Sequence, residues 1–183
     1  MQKSTKKNVV LTFILLIAVL SVMVYKIALP KYLPLAYETE ITTFSEVHNL
    51  DKDFVCAVIY TESKFQKEAV SSAGAVGLMQ IIPETGEWVQ GHLGLPIEDL
   101  DLTDPAQNIN IGCWYLQWLM EKFDNNYTLV LAGYNAGHNK VAQWLENDEY
   151  SYDGTNLDAI PFPETDRYVK KVQFLQLLYD LCY

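Results

Sequence analysis

The chain has 183 residues, enough for one domain plus an appendage, and carries a formal net charge of −10. The first 37 residues hold five lysines and no acid, while the remaining 146 hold eight basic and 23 acidic residues. A domain at −15 repels polyanions and no basic cluster offsets it, so nucleic acid is excluded as a partner and a neutral or mixed-charge substrate fits.

Lys3, Lys6 and Lys7 lead into Val9 to Leu29, a 21-residue stretch whose only charge is Lys26. About 20 apolar residues span a bilayer, and basic flanks stay on the cytoplasmic side. The pattern predicts a cytoplasmic tail over 1–8, one transmembrane helix over 9–29, a stalk over 30–41 bracketed by Pro30 and Pro34, and an extracytoplasmic domain over 42–183 on a single-pass cell-membrane protein. The rival is a cleaved signal peptide, but the run is long for an h-region and "SVMVYKIALP" has no small-x-small cleavage site.

The remaining elements read as helices. Phe54 to about Phe65 is the first, with Asp51 or Asp53 at its start as a cap. Residues 66–77 ("VSSAGAVG") are a loop, "IPETGEWVQ" resumes helix at Pro83, and 91–104 is a polar connection. Asp104-Pro105 starts a long helix with apolar residues at Ile109, Cys113, Leu116, Met120 and Phe123. Short helices follow over Tyr127 to Asn135, stopped by Gly137, and over His138 to Glu146. "NDEYSYDGTNLDAIPFP" is loop. Glu164 to Leu181 is amphipathic, with Tyr168, Val169, Val172, Leu175, Leu178 and Leu181 on its apolar side. No segment shows strand alternation, so the domain is all-α or nearly so. Cys56, Cys113 and Cys182 are too few and too widely spaced for a zinc motif or disulfide framework, and Cys56 and Cys113 read as small buried hydrophobes.

Glu62 is the first residue that this map does not absorb. Residues three, four and seven places before it are Ile59, Val58 and Val55, so a helix points its carboxyl along an apolar face. Two readings follow: a core-edge glutamate satisfied by a backbone group or water, or an acid whose pKa is raised by desolvation for proton donation. Asp99, Asp101 and Asp104 lie in a polar stretch and offer no comparable pattern.

Further motifs bear on the choice. Glu62-Ser63, Gly77-Leu78-Met79-Gln80, Ala132-Gly133-Tyr134-Asn135-Ala136-Gly137 and Pro161-Phe162-Pro163-Glu164-Thr165 occur in that order. Together, over residues 45–175, they resemble the lytic transglycosylase family typified by the soluble lytic murein transglycosylases. The resemblance implies a lysozyme-like helical fold with a substrate cleft, and peptidoglycan glycan strands as substrate. It implies Glu62 as catalytic acid/base and Ser71 as a contact to the substrate's N-acetyl group. Ser63, Gly77, Leu78, Met79 and Gln80 match the cleft-lining stretches. Tyr134 matches a tyrosine whose hydroxyl sits near the catalytic carboxyl, Asn135 accompanies it, and Glu164 matches a second glutamate in the cleft. One departure is Gly133, where the family usually has alanine.

The chemistry implied is intramolecular. Glu62 protonates the β-1,4 glycosidic oxygen between N-acetylmuramic acid and N-acetylglucosamine, the N-acetyl oxygen supports C1, and the C6 hydroxyl closes a 1,6-anhydro ring. Neither metal nor cofactor is implied. The alternatives are a hydrolase resembling goose-type lysozymes, which uses water, and a non-catalytic peptidoglycan-binding or assembly module.

Overall fold

The fold comes from a computed structural model that describes residues 2–24 and 29–183. In chain order the helices are α1 (Gln2–Met23), α2 (Leu29–Tyr32), α3 (Glu38–Val47), α4 (Lys52–Ser63), α5 (Pro83–His92), α6 (Pro105–Lys122), α7 (Tyr127–Ala136), α8 (His138–Leu145) and α9 (Pro163–Cys182). A short 3-10 turn lies at Ile97–Asp99, and the β-type pairings among the described residues are the isolated bridges Val70–Val76 and Val76–Ile81. The domain is therefore nearly all-helical, as expected.

The N-terminal expectation is not supported in the same way. No helix among the described residues is long and apolar enough to cross a membrane. Helix α1 ends at Met23, short of the Leu29 limit read from hydropathy, and residues 25–28 of the expected span lie outside the described residues.

Helix α4 organises the core. The Asp51 carboxylate caps it, accepting from the Phe54 N–H at 2.7 Å. Phe54 to Ile59 are all fully buried, so α4 is enclosed on every side rather than along one stripe. Helices α9 and α3 pack against α4, α6 packs on α3, and α7 bridges α6 and α9. The caps of α6 and α7 are Asp104, accepting from Gln107 N–H at 2.9 Å, and Asn126, accepting from Thr128 and Leu129 N–H. Burial holds the Cys56 thiol up at about 12 and raises that of Cys113 as well, which leaves both inert in the core.

Helix α3 has no counterpart in the sequence reading, which began the domain at residue 42 without an element there. Residues of the expected stalk are also held on the domain. Leu33 and Ile41 are buried in the core. Tyr179 donates its hydroxyl to Pro34 O at 3.0 Å, Tyr183 donates to Leu33 O at 2.6 Å, and Tyr60 donates to Tyr32 O at 3.2 Å. Three phenols give the approach segment partners for its carbonyls, and Leu33 supplies the apolar contact, so this segment docks rather than standing free.

Candidate active site

Helix α4 delivers Glu62 in its last turn and then stops abruptly. Lys64 and Phe65 both adopt left-handed backbone, with φ of 53° and 63°. Two successive non-glycine residues there are costly, and the surrounding packing must hold them. Ser63 helps: its buried hydroxyl donates to Leu78 O at 2.8 Å and to Ile59 O at 3.2 Å. The end of α4 is thereby pinned to the loop that carries Gly77 to Gln80.

The Glu62 side chain is partly buried, and Val55, Val58 and Ile59, seven, four and three places before it on α4, are fully buried. Tyr168, from α9, donates its hydroxyl to Glu62 Oε1 at 2.7 Å. Burial pushes the carboxyl up to about 7, against the opposing pull of the Tyr168 hydrogen bond and the Lys171 charge. Near neutrality this group exchanges its proton readily, which suits both an acid and a base step. The hydroxyls of Tyr168 and Tyr134 are held well above the phenol range, first by burial and then by the Glu62 carboxylate.

The loop following α4 is built around Asn108 of α6. Its side-chain oxygen accepts from Met79 N–H at 2.7 Å, and its amide donates to Val76 O at 3.0 Å and Leu102 O at 2.9 Å. Gly77, at φ 82°, lies so close that a Cβ there would stand 2.3 Å from both Asn108 Nδ2 and Leu102 O. Its glycine is thus required by the approach of the loop to Leu102 and to Asn108 of α6. Leu78 and Met79 are fully buried beneath the loop, and Met79 packs where Gly112 of α6 leaves room, with Sδ 2.2 Å from a would-be Cβ. Gln80 sits at φ 50° and donates its amide protons to Ala69 O and Gly77 O, leaving the side-chain oxygen for the cleft. Ser71 accepts from Ala75 N–H at 3.0 Å.

Helix α7 closes the other wall. Tyr134 donates to Met79 O at 2.8 Å, so its hydroxyl holds the loop while sharing the cleft with Glu62, close enough to feel its charge. Tyr168 is the phenol that hydrogen-bonds the carboxyl. Asn135 Oδ1 accepts from Thr165 at 2.8 Å, which ties α7 to the start of α9. Gly133 has a packing reason: a Cβ there would lie 2.9 Å from Phe123 Cε2 and 3.2 Å from Leu119 Cδ2.

These parts enclose an open cleft of about 380 Å³. Of the expected site residues, Glu62, Ser71, Gln80, Tyr134 and Asn135 line it together. Ser63, Gly77, Leu78 and Met79 support it from beneath, and Glu164 is exposed on the first turn of α9, outside its lining. Three participants went unassigned from sequence. Tyr168 reads as one more apolar-side residue of α9, Thr165 as a helix-start residue, and Asn108 as a neutral helix position; only contacts between elements reveal their roles. Among the described residues, no three His, Cys, Asp or Glu side chains are grouped as for a metal ion.

Comparison with known proteins agrees with this fold. Residues 41–155 match the family model described as the transglycosylase SLT domain. The soluble lytic murein transglycosylase of Salmonella typhimurium is 36% identical over 155 residues, covering 82% of this chain and 23% of the relative. The membrane-bound lytic murein transglycosylase C of Haemophilus influenzae is 32% identical over 130 residues, covering 65% of this chain and 35% of that protein. Among solved structures, an inactive glutamate-to-glutamine mutant of lytic transglycosylase Slt from Pseudomonas aeruginosa superposes with a TM-score of 0.73 at 31% identity, covering 82% of this chain and 25% of the other. The 70 kDa soluble lytic transglycosylase in complex with bulgecin A does so with a TM-score of 0.73 at 32% identity, covering 83% and 25%. The chain spans about a quarter of the length of these soluble relatives. With the family model matched over residues 41–155 and a relative 36% identical over 82% of the chain, this chain belongs to the transglycosylase SLT domain family.

Proposed function

We propose that this chain is a peptidoglycan lytic transglycosylase with Glu62 as its single acid/base. The observation that carries the reading is the cleft itself: its lining holds one carboxylate, and burial places that carboxylate near 7. Glycosidases that use a second carboxylate as nucleophile or base need it within about 5–10 Å of the first. With Glu62 alone in the lining, the reading that fits is one in which the substrate supplies the second group.

In this scheme protonated Glu62 donates to the glycosidic oxygen and the C1–O bond breaks. The muramic N-acetyl oxygen stabilises C1. Glu62, now anionic and held by the Tyr168 hydroxyl, takes the proton of the C6 hydroxyl as that oxygen closes on C1. The proton balance returns to the start without water. Ser71, the Gln80 side-chain oxygen and Asn135 supply polar contacts to the sugar from the cleft walls. Two relatives support the reading: one is an inactive mutant by a glutamate-to-glutamine change, and one was solved with bulgecin A.

The N-terminal segment is assigned to membrane attachment, with the domain facing the wall. Its support is the apolar run from Val9 with lysines before it, and the membrane-bound name of one relative.

Mass spectrometry of products released from purified sacculi is the test. Transglycosylation gives 1,6-anhydro ends, lighter by one water than hydrolytic ends, and Glu62→Gln abolishes release while leaving glycan binding. Reducing ends with the mass of added water would instead identify a muramidase. No release by the wild-type chain, with binding retained, would identify a binding module.

A further inference from the structure

Helix α9 is apolar on two sides. Tyr168, Val169, Val172, Leu175 and Tyr179 are buried. Across the helix, Phe174 is 60% exposed, Leu177 63% and Leu181 49%. These three recur at i, i+3 and i+7, so they form one stripe over the last turns. Single apolar side chains at a surface need no explanation, but an aligned set on one helix marks a contact face. Toward the start of α9 the same stripe carries Arg167, Lys170 and Lys171, all exposed. Lys170 is paired with Asp166 at 2.7 Å, which leaves Arg167 and Lys171 as the principal charges of the stripe.

Two observations identify what covers this face. The first is charge. Residues 38–183 hold eight basic and 23 acidic residues, and three of the eight lie on this stripe. An anionic surface repels such a domain except where its positive charge is gathered, so this is the face that can approach one. Apolar side chains flanked by Lys and Arg on one helix suit the interface of a bilayer with anionic headgroups. The second is position. Tyr179 and Tyr183 hold Pro34 and Leu33 at the same end of α9 as the apolar residues. The chain ahead of Leu33, with its apolar run from Val9, therefore meets the domain beside the stripe. A second copy fits less well. Parallel pairing of two such stripes sets basic residues against each other, and antiparallel pairing sets them against the partner's apolar residues.

We propose that the exposed stripe of α9 seats the domain on an anionic lipid surface, with Phe174, Leu177 and Leu181 in the interface and Arg167 and Lys171 at the headgroups. The proposal rests on the assignment of the N-terminal segment to membrane attachment and adds a second contact to it. A tether makes that contact intramolecular, so a weak one suffices. It also fixes orientation. Tyr168, which bonds the Glu62 carboxyl, is on the buried side of α9, so the acid lies across the helix from the lipid.

The test uses the full chain reconstituted in phosphatidylcholine vesicles with and without phosphatidylglycerol. The four tryptophans lie at Trp88 and beyond, none on α9, so indole emission reports the domain and not the N-terminal segment. Phe174→Trp adds emission that brominated acyl chains quench by roughly half or more, as an indole at the acyl boundary requires. Adding Leu177→Ser and Leu181→Ser removes that quenching, as does leaving out phosphatidylglycerol or raising salt to about 1 M, while cleavage of soluble glycan strands is unchanged. Leu177→Trp is the second reporter should Phe174→Trp not fold. If the chain floats with vesicles but neither reporter is quenched beyond wild type, the docking is overturned and N-terminal attachment stands. If the chain does not float at all, both are overturned. Quenching that is indifferent to phosphatidylglycerol and salt overturns the anionic surface as partner. A dimer in detergent, by light scattering, that Leu177→Ser returns to monomer overturns the lipid in favour of a second copy.

Discussion

Replacing Glu62 by glutamine should make the protein more stable, and increasingly so as pH rises. The carboxyl has an ordinary value of 4.5 and burial moves it to about 7. Below about pH 4.5 the group is protonated in both folded and unfolded chains, and its burial carries no ionisation penalty. Between the two values the folded state binds the extra proton, so stability falls with pH. Above about 7 the full penalty is present, about 3 kcal/mol. A neutral glutamine never incurs it, and its side-chain oxygen can still accept from Tyr168 at the Glu62 position. The advantage of Glu62→Gln over wild type should therefore grow by about 3 kcal/mol between about pH 4 and pH 8, or roughly 6–12 °C in Tm for a chain of this size. Circular dichroism melts and urea titrations across that range measure it. An advantage that does not change with pH would show that the carboxyl is not held neutral by burial, and would remove the physical basis for its proposed role as a proton donor at neutral pH.

Two further substitutions separate the groups around the acid. Tyr168→Phe removes a donor to the charged form of Glu62, a bond of about 1.5–3 kcal/mol, so the alkaline limb of the kcat/KM profile should move up by about 1–2 pH units. Tyr134→Phe should lower activity with the limb in place, since its hydroxyl serves Met79 O; a limb that moves with Tyr134 and not Tyr168 would reverse the assignment. Asn108→Ala strands Met79 N–H and the Val76 and Leu102 carbonyls, each at about 1–3 kcal/mol. Urea unfolding should show a loss of about 3 kcal/mol or more, and a loss below about 1 kcal/mol would mean that water replaces the amide.

What could be read without the structure was whatever depends on neighbours in sequence. The apolar face behind Glu62 follows from residues three to seven places away, the Asp104 cap follows from its position before a helix, and the cap of α4 was narrowed to Asp51 or Asp53, of which Asp51 serves. Four cleft residues, Glu62, Gln80, Tyr134 and Asn135, fall in the ordered motifs, and Ser71 follows from the family resemblance. What was missed has another cause. Tyr168 reads as one more apolar-side residue of α9, and that its phenol reaches the carboxyl depends on how α9 lies against α4. Gly77 and Met79 sit within a motif but face inward, because Asn108 and Gly112, some thirty residues on, draw the loop onto α6. Helix α3 is weakly patterned, with Ile41 and Ser45 its buried residues, so its place comes from packing against α4 and α6 rather than from its own periodicity.

The clasp of Tyr179 and Tyr183 on residues 33–34 has a mechanical meaning. Tension applied to the chain ahead of Leu33 enters the domain through the far end of α9, the helix whose first turns carry Thr165 and Tyr168. One helix thus carries at its far end the phenols that hold residues 33–34 and, some three turns away, the hydroxyl that hydrogen-bonds the Glu62 carboxyl.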